Sequence, residues 1–168
     1  MKEPVKILFV CHGNICRSPM CEFIMKDMVR KTGCEDEFEI ASAATTSEEI
    51  WNGTGNPVYP PAKRVLMEHG IGVLGNELGV GAKRARLLKR SDYARYERII
   101  GMDDENMYDM RRILGGDPDG KLSLLMDYTD RPGEVSDPWY TRDFNATWRD
   151  AYEGCQGLLN AFLKKERT

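Results

Sequence analysis

The stretch "VKILFVCHGNICRSP" at residues 5–19 decides how this 168-residue chain is read. Residues 5–10 form an apolar, β-branched run broken only by Lys6, the pattern of a strand buried on both faces of a parallel sheet. Ser18 and Pro19 read as a helix start, a serine N-cap followed by proline at the first helical position. Met20, Ile24 and Met28 continue at helical spacing, with Cys21 and Met25 beside them, up to a stop at Thr32-Gly33. Between strand and helix lies "CHGNICR", residues 11–17.

Working outward, "FEIASAA" (38–44), "YERIIGM" (96–102) and "KLSLLM" (121–126) read as three further strands. Helices are expected over 62–69, over 104–114 up to Gly115-Gly116, and in a short turn after Ser91. The last helix is marked by Trp148, Tyr152, Cys155, Leu159 and Phe162 along one face. Residues 45–61 and 127–143 read as long surface loops, and "GVLGNELGVG" (72–81) as a flexible insert. Strands alternating with helices imply an α/β fold: a single domain over 1–168, with a doubly wound sheet of about four parallel strands flanked by helices. Ligands bind such sheets at the carboxyl ends of the strands, where residues 11–17 sit.

The chemistry available to that loop follows from its residues. Backbone N–H groups between a strand and a helix N-terminus form an anion cradle. Gly13 and Asn14 tolerate the backbone angles a cradle needs, and Arg17 adds a planar, bidentate clamp for phosphate oxygens. The same donors stabilise a thiolate on Cys11, with Ser18 able to donate to the sulfur, so Cys11 is placed to attack a bound phosphorus. A cysteine after a buried strand is more often a small hydrophobe; the agreement of the strand, Gly13, Asn14, Ser18 and Pro19 reverses that expectation. Phosphate ester cleavage also needs a proton donor for the leaving group. "SDPWY" (136–140) offers Asp137, with Trp139 and Tyr140 as flat surfaces for an aromatic substrate, although an Asp-Pro turn with two packing aromatics fits the same letters.

Composition narrows the function classes. The net charge is −3, which disfavours a general nucleic-acid surface. The apolar run at 7–10 is too short for a signal peptide or a membrane span, so a cytoplasmic protein with no membrane association is expected. The five cysteines, Cys11, Cys16, Cys21, Cys34 and Cys155, are odd in number and three of them crowd one stretch, unlike a secreted disulfide framework. Cys11, His12 and Cys16 could serve zinc, but no second ligand pair follows at a usual spacing, so neither metal nor cofactor is expected.

"VCHGNICRSP" with a late "DPWY" resembles the low-molecular-weight protein tyrosine phosphatase family, and "SAAT" (42–45), "HGI" (69–71), "KRARLL" (83–88) and "IIGMD" (99–103) fit its layout. The resemblance implies a metal-free, two-step hydrolysis of phosphotyrosine proteins by a monomer. In it Cys11 is the nucleophile, Arg17 the phosphate clamp and Asp137 the acid and then the base. His12, Gly13, Asn14, Ile15, Cys16 and Ser18 would line the phosphate loop, and residues matching Asn14, Ser18, Ser42 and His69 would brace it. His69 before a glycine could equally be a helix C-terminal partner. Ile15 stands where family members acting on phosphoarginine carry threonine, which points to phosphotyrosine. Cys16 matches a cysteine that pairs reversibly with the nucleophile on oxidation. The segment "TSEEIWNGTGNPVYPPAKR" (46–64) departs from the family pattern. Trp51 or Tyr59 could supply the aromatic wall of the cleft there. The basic run at 83–90 reads as a solvated face or as a dock for acidic substrates.

Three rivals fit less well. An arsenate reductase needs a later cysteine pair, and no cysteine lies between Cys34 and Cys155. A phosphocysteine carrier needs neither Asp137 nor Arg17, and a binding module needs no catalytic groups at all.

Overall fold

A computed structural model of the chain describes residues 3–74 and 77–166. In chain order its elements are β1 (Val5–Cys11), α1 (Arg17–Lys31), β2 (Phe38–Ala44), a small hairpin of β3 (Ile50–Trp51) and β4 (Thr54–Gly55), and α2 (Pro60–Glu68). Then follow α3 (Asp92–Arg95), β5 (Arg98–Gly101), α4 (Asp104–Leu114), β6 (Leu122–Leu124), α5 (Pro138–Thr141) and α6 (Phe144–Glu166). The main sheet has four strands in the order β2-β1-β5-β6, all parallel. The expected α/β fold is therefore the observed one.

The apolar run of β1 explains why it is central. Ile7, Phe9 and Cys11 point to one face, into a core shared with α1, α2 and α6. Leu8 and Val10 point to the other, against Leu88, Tyr96, Met107, Met110 and Leu114. This is the period-two alternation of a strand covered on both sides. The chain leaves β1 for β2 on one side and returns to β5 on the other, so strand order reverses at β1. The crevice beyond its carboxyl end is where such sheets take ligands.

Several boundaries differ from expectation for local reasons. Helix α1 begins at Arg17 with Cys16 before it, and Ser18 makes no capping bond; its hydroxyl is used elsewhere. The loop at 45–61 is not featureless, since it folds into the β3–β4 hairpin and ends where α2 starts at Pro60. Within the expected insert at 72–81, residues 75 and 76 lie outside the described residues, while Val80 is fully buried and Leu78 packs against the core. The run at 83–90 is not a solvated face throughout: Ala85 and Leu88 are buried, and Arg86 pairs with the buried Asp92 at 3.1 Å.

Candidate active site

Residues 12–16 turn over the carboxyl end of β1. Two of their carbonyls are bonded outward: His12 O accepts from Thr46 N at 3.1 Å and Ile15 O accepts from Tyr59 N at 2.9 Å, while Cys11 O accepts from Thr45 N at 2.9 Å. Two amides meet the sulfur, one from this loop and one from the first turn of α1. Cys11 Sγ accepts from Asn14 N at 3.3 Å and from Ser18 N at 3.4 Å, and Ser18 Oγ lies 3.0 Å from it. Three donors and a helix N-terminus thus face the buried sulfur. Asn14 adopts the left-handed conformation, φ 60°, which asparagine tolerates better than most residues. Gly13 does not use positive φ, and a Cβ there would stand 3.2 Å from Glu49 Cγ, a tight contact with a movable side chain.

A buried network fixes Asn14. Its Nδ2 donates to Ser18 Oγ at 2.8 Å and to Ser42 Oγ at 2.9 Å, and its Oδ1 accepts from Arg86 N at 3.1 Å. Ser42 Oγ in turn donates to Glu22 Oε1 at 2.5 Å. Lys83 Nζ donates to Ser42 O at 3.0 Å and lies 3.5 Å from Glu22 Oε1. Burial lowers the Lys83 ammonium from its ordinary value, and Glu22 works against that shift.

Arg17 is buried at 4 % exposure and held at both ends of its guanidinium. Nη1 reaches Asp103 Oδ2 at 2.7 Å, and Nη2 lies 3.3 Å from Asp137 Oδ2. Burial alone would lower the guanidinium, but the Cys11 sulfur, Asp103 and Asp137 outweigh it and hold it above its ordinary value. Asp103 also caps α4, its Oδ1 accepting from Asn106 N at 2.7 Å. Asp137 caps the short α5 through Trp139 N at 3.0 Å. Its loop hangs on α6, where Ser136 N donates to Asp150 Oδ2 at 2.9 Å and Thr147 Oγ1 donates to Ser136 O at 2.9 Å. For Cys16, burial first and then the Cys11 and Asp137 charges push the thiol up to about 12.

These groups border one cavity of about 690 Å³. It brings Cys11, His12, Gly13, Ile15, Cys16 and Arg17 together with Asp137, Trp139 and Tyr140. A thiol, a guanidinium and a carboxyl thus converge in one cavity. Across residues 6–168 the sequence also matches the family model described as low molecular weight phosphotyrosine protein phosphatase. The chain belongs to that family. A low molecular weight protein-tyrosine-phosphatase of Bacillus subtilis, YfkJ, is 33 % identical over 165 residues, covering 97 % of this chain and 98 % of the relative. The crystal structure of YfkJ superposes with a TM-score of 0.86 at 31 % identity, over 98 % of each chain. A Drosophila arginine phosphatase has a TM-score of 0.79 at 25 % identity, over 94 % of this chain and 98 % of its own.

Three expected residues of the phosphatase fall outside the site. His69 does not join the Asn14 network; it ends α2 and stacks on Trp148, ring centroids 3.8 Å apart. Glu22 and Lys83 brace Ser42 instead. Trp51 projects from the β3–β4 hairpin at 72 % exposure and does not line the cavity. Tyr59 packs near Phe144, centroids 6.0 Å apart; it too is absent from the cavity walls, so the aromatic surfaces there are Trp139 and Tyr140. Sequence reasoning missed Glu22, Lys83 and Asp103. Only Asp103 carried a readable signal, an aspartate at the end of a strand and the start of a helix. Among the described residues no group of three or more His, Cys, Asp or Glu side chains could hold a metal ion, and no helix is long and apolar enough to cross a membrane.

Proposed function

We propose that this family member hydrolyses phosphotyrosine in proteins through a phosphocysteine intermediate, without a metal. The observation that carries the reading is the placement of Cys11 Sγ beneath two amides, in the same cavity as Arg17 and Asp137. Phosphate oxygens take the loop amides and the Arg17 guanidinium, displacing Asp137 from its ion pair. The carboxyl then faces a phosphate dianion instead of a cation. Cys11 attacks phosphorus; the S–P bond forms as the P–O bond breaks, and Asp137 gives its proton to the departing phenolate. Water then attacks phosphorus, passes its proton to Asp137, and the P–S bond breaks to return the Cys11 thiolate and free phosphate.

Ile15, in the loop, and Trp139 and Tyr140, at the cavity wall, favour an aromatic ester over a phosphoguanidinium. Unpaired cysteines suit a reducing compartment, and we assign the enzyme to the cytoplasm as a monomer and a single domain.

Release of p-nitrophenol from p-nitrophenyl phosphate in EDTA tests the mechanism. The expected result is steady multiple turnover that vanishes in Cys11→Ser and falls roughly 100- to 10,000-fold in Asp137→Asn. No turnover by the unaltered chain, or turnover retained in Cys11→Ser, would overturn it. Phosphoarginine tested beside phosphotyrosine decides the ester class.

A further inference from the structure

From the sulfur outward the cleft changes sign. Arg17 stands at its floor and His12 at its edge, and both are already matched: Arg17 by Asp103 and Asp137, His12 by Glu48 at 2.9 Å. The mouth carries further carboxylates on separate walls: Glu49 from the loop after β2, Glu105 from the first turn of α4, and Glu134 from the loop leading to Asp137. These three form no ion pair among the described residues. Glu49 Oε2 accepts from Asn56 Nδ2 at 2.7 Å and Glu134 Oε2 accepts from Asp104 N at 2.8 Å, so charges on two walls are held in place. Trp139 and Tyr140 border the same mouth at 76 % and 82 % exposure.

A phosphate dianion entering alone meets repulsion from this rim. Cations beside it on the substrate relieve that repulsion, and guanidinium or ammonium groups also settle on exposed indole and phenol faces. The geometry points to a substrate class: phosphotyrosine flanked within two or three residues by arginine or lysine, selected by Glu49, Glu105 and Glu134 with Trp139 and Tyr140 as contact faces. This rests on the phosphotyrosine reading above and deepens it. Because the rim is exposed, the preference is electrostatic and screened by salt.

The test uses the full chain and phosphotyrosyl peptides that differ only in flanking residues: Arg and Lys, Ala, or Asp and Glu. At low salt the basic peptide is expected to exceed the acidic one in kcat/KM by on the order of tenfold, mostly through KM, with the ratio shrinking as sodium chloride rises. The double variant Glu49→Gln, Glu105→Gln is expected to move the two peptides in opposite directions, basic down and acidic up; a folding defect would lower both, and the salt response of the unaltered chain then decides. Equal kcat/KM for the peptides, an acidic preference, or a ratio indifferent to salt would overturn the inference. Turnover of p-nitrophenyl phosphate by the same preparation separates the cases: turnover without preference overturns only the rim's role, and no turnover overturns the phosphatase mechanism itself.

Discussion

Cys11 and Ser18 show how far single residues can be read. The cysteine's position at the end of a buried strand was legible because strand, turn and helix signals are local. The Ser18 hydroxyl, expected to donate to the sulfur, lies 3.0 Å from Cys11 Sγ, while the capping bond that chain order also suggests does not form. Glu22 and Lys83 were not legible as partners of Ser42, because pairings across 20 and 41 positions leave no mark in spacing. Cys16 yields a prediction at this scale. Its thiol, pushed up to about 12, keeps its proton through neutral pH and does not compete with Cys11 as nucleophile. Oxidation of Cys11 to the sulfenic acid removes the neighbouring negative charge, and Cys16 can then close a disulfide with loss of water. After mild peroxide, dithiothreitol is expected to restore most activity to the unaltered enzyme and several-fold less to Cys16→Ser; equal recovery would exclude the pairing.

At the level of elements, β2 and α4 run over the residues their patterns marked, 38–44 and 104–114. Both have clear ends: β2 an apolar run in register with β1, α4 an aspartate cap and two glycines after it. The hairpin inside 45–61 escaped notice because its two-residue strands are too short to show alternation. Asp103 joins two elements at once, capping α4 and holding Arg17. Asp103→Ala is expected to lower stability by about 1 kcal/mol from the lost cap and also to weaken inorganic phosphate as a competitive inhibitor several-fold, because Arg17 loses its anchor. Urea denaturation and the phosphate inhibition constant measure the two effects; a stability loss with unchanged phosphate affinity would separate Asp103 from the clamp.

Across the whole molecule the doubly wound sheet was legible from alternation of strand and helix patterns, and the site's place at the carboxyl end of β1 followed from it. The closeness of α6 to the turn after β6 was not. A Cβ on Gly157 would fall 2.0 Å from Tyr128 O, so glycine is what lets this helix lie against backbone. Gly157→Ala is expected to cost about 1–3 kcal/mol by forcing the helix outward. Because Ser136 is tied to Asp150 and Thr147 on α6, kcat is expected to fall as well. Melting and turnover like those of the unaltered enzyme would show that α6 adjusts without disturbing the loop.

The ion pair between Arg17 and Asp137 bears on the end of the proposed cycle. When phosphate departs, Asp137 holds the proton it took from water, and it must release that proton before it can pair with Arg17 again. Product departure is thus tied to proton release: one anion leaves Arg17 as another forms beside it. On the proposed mechanism the Asp137 carboxylate and phosphate compete for one guanidinium, and Asp137 takes up its proton again before the next cleavage.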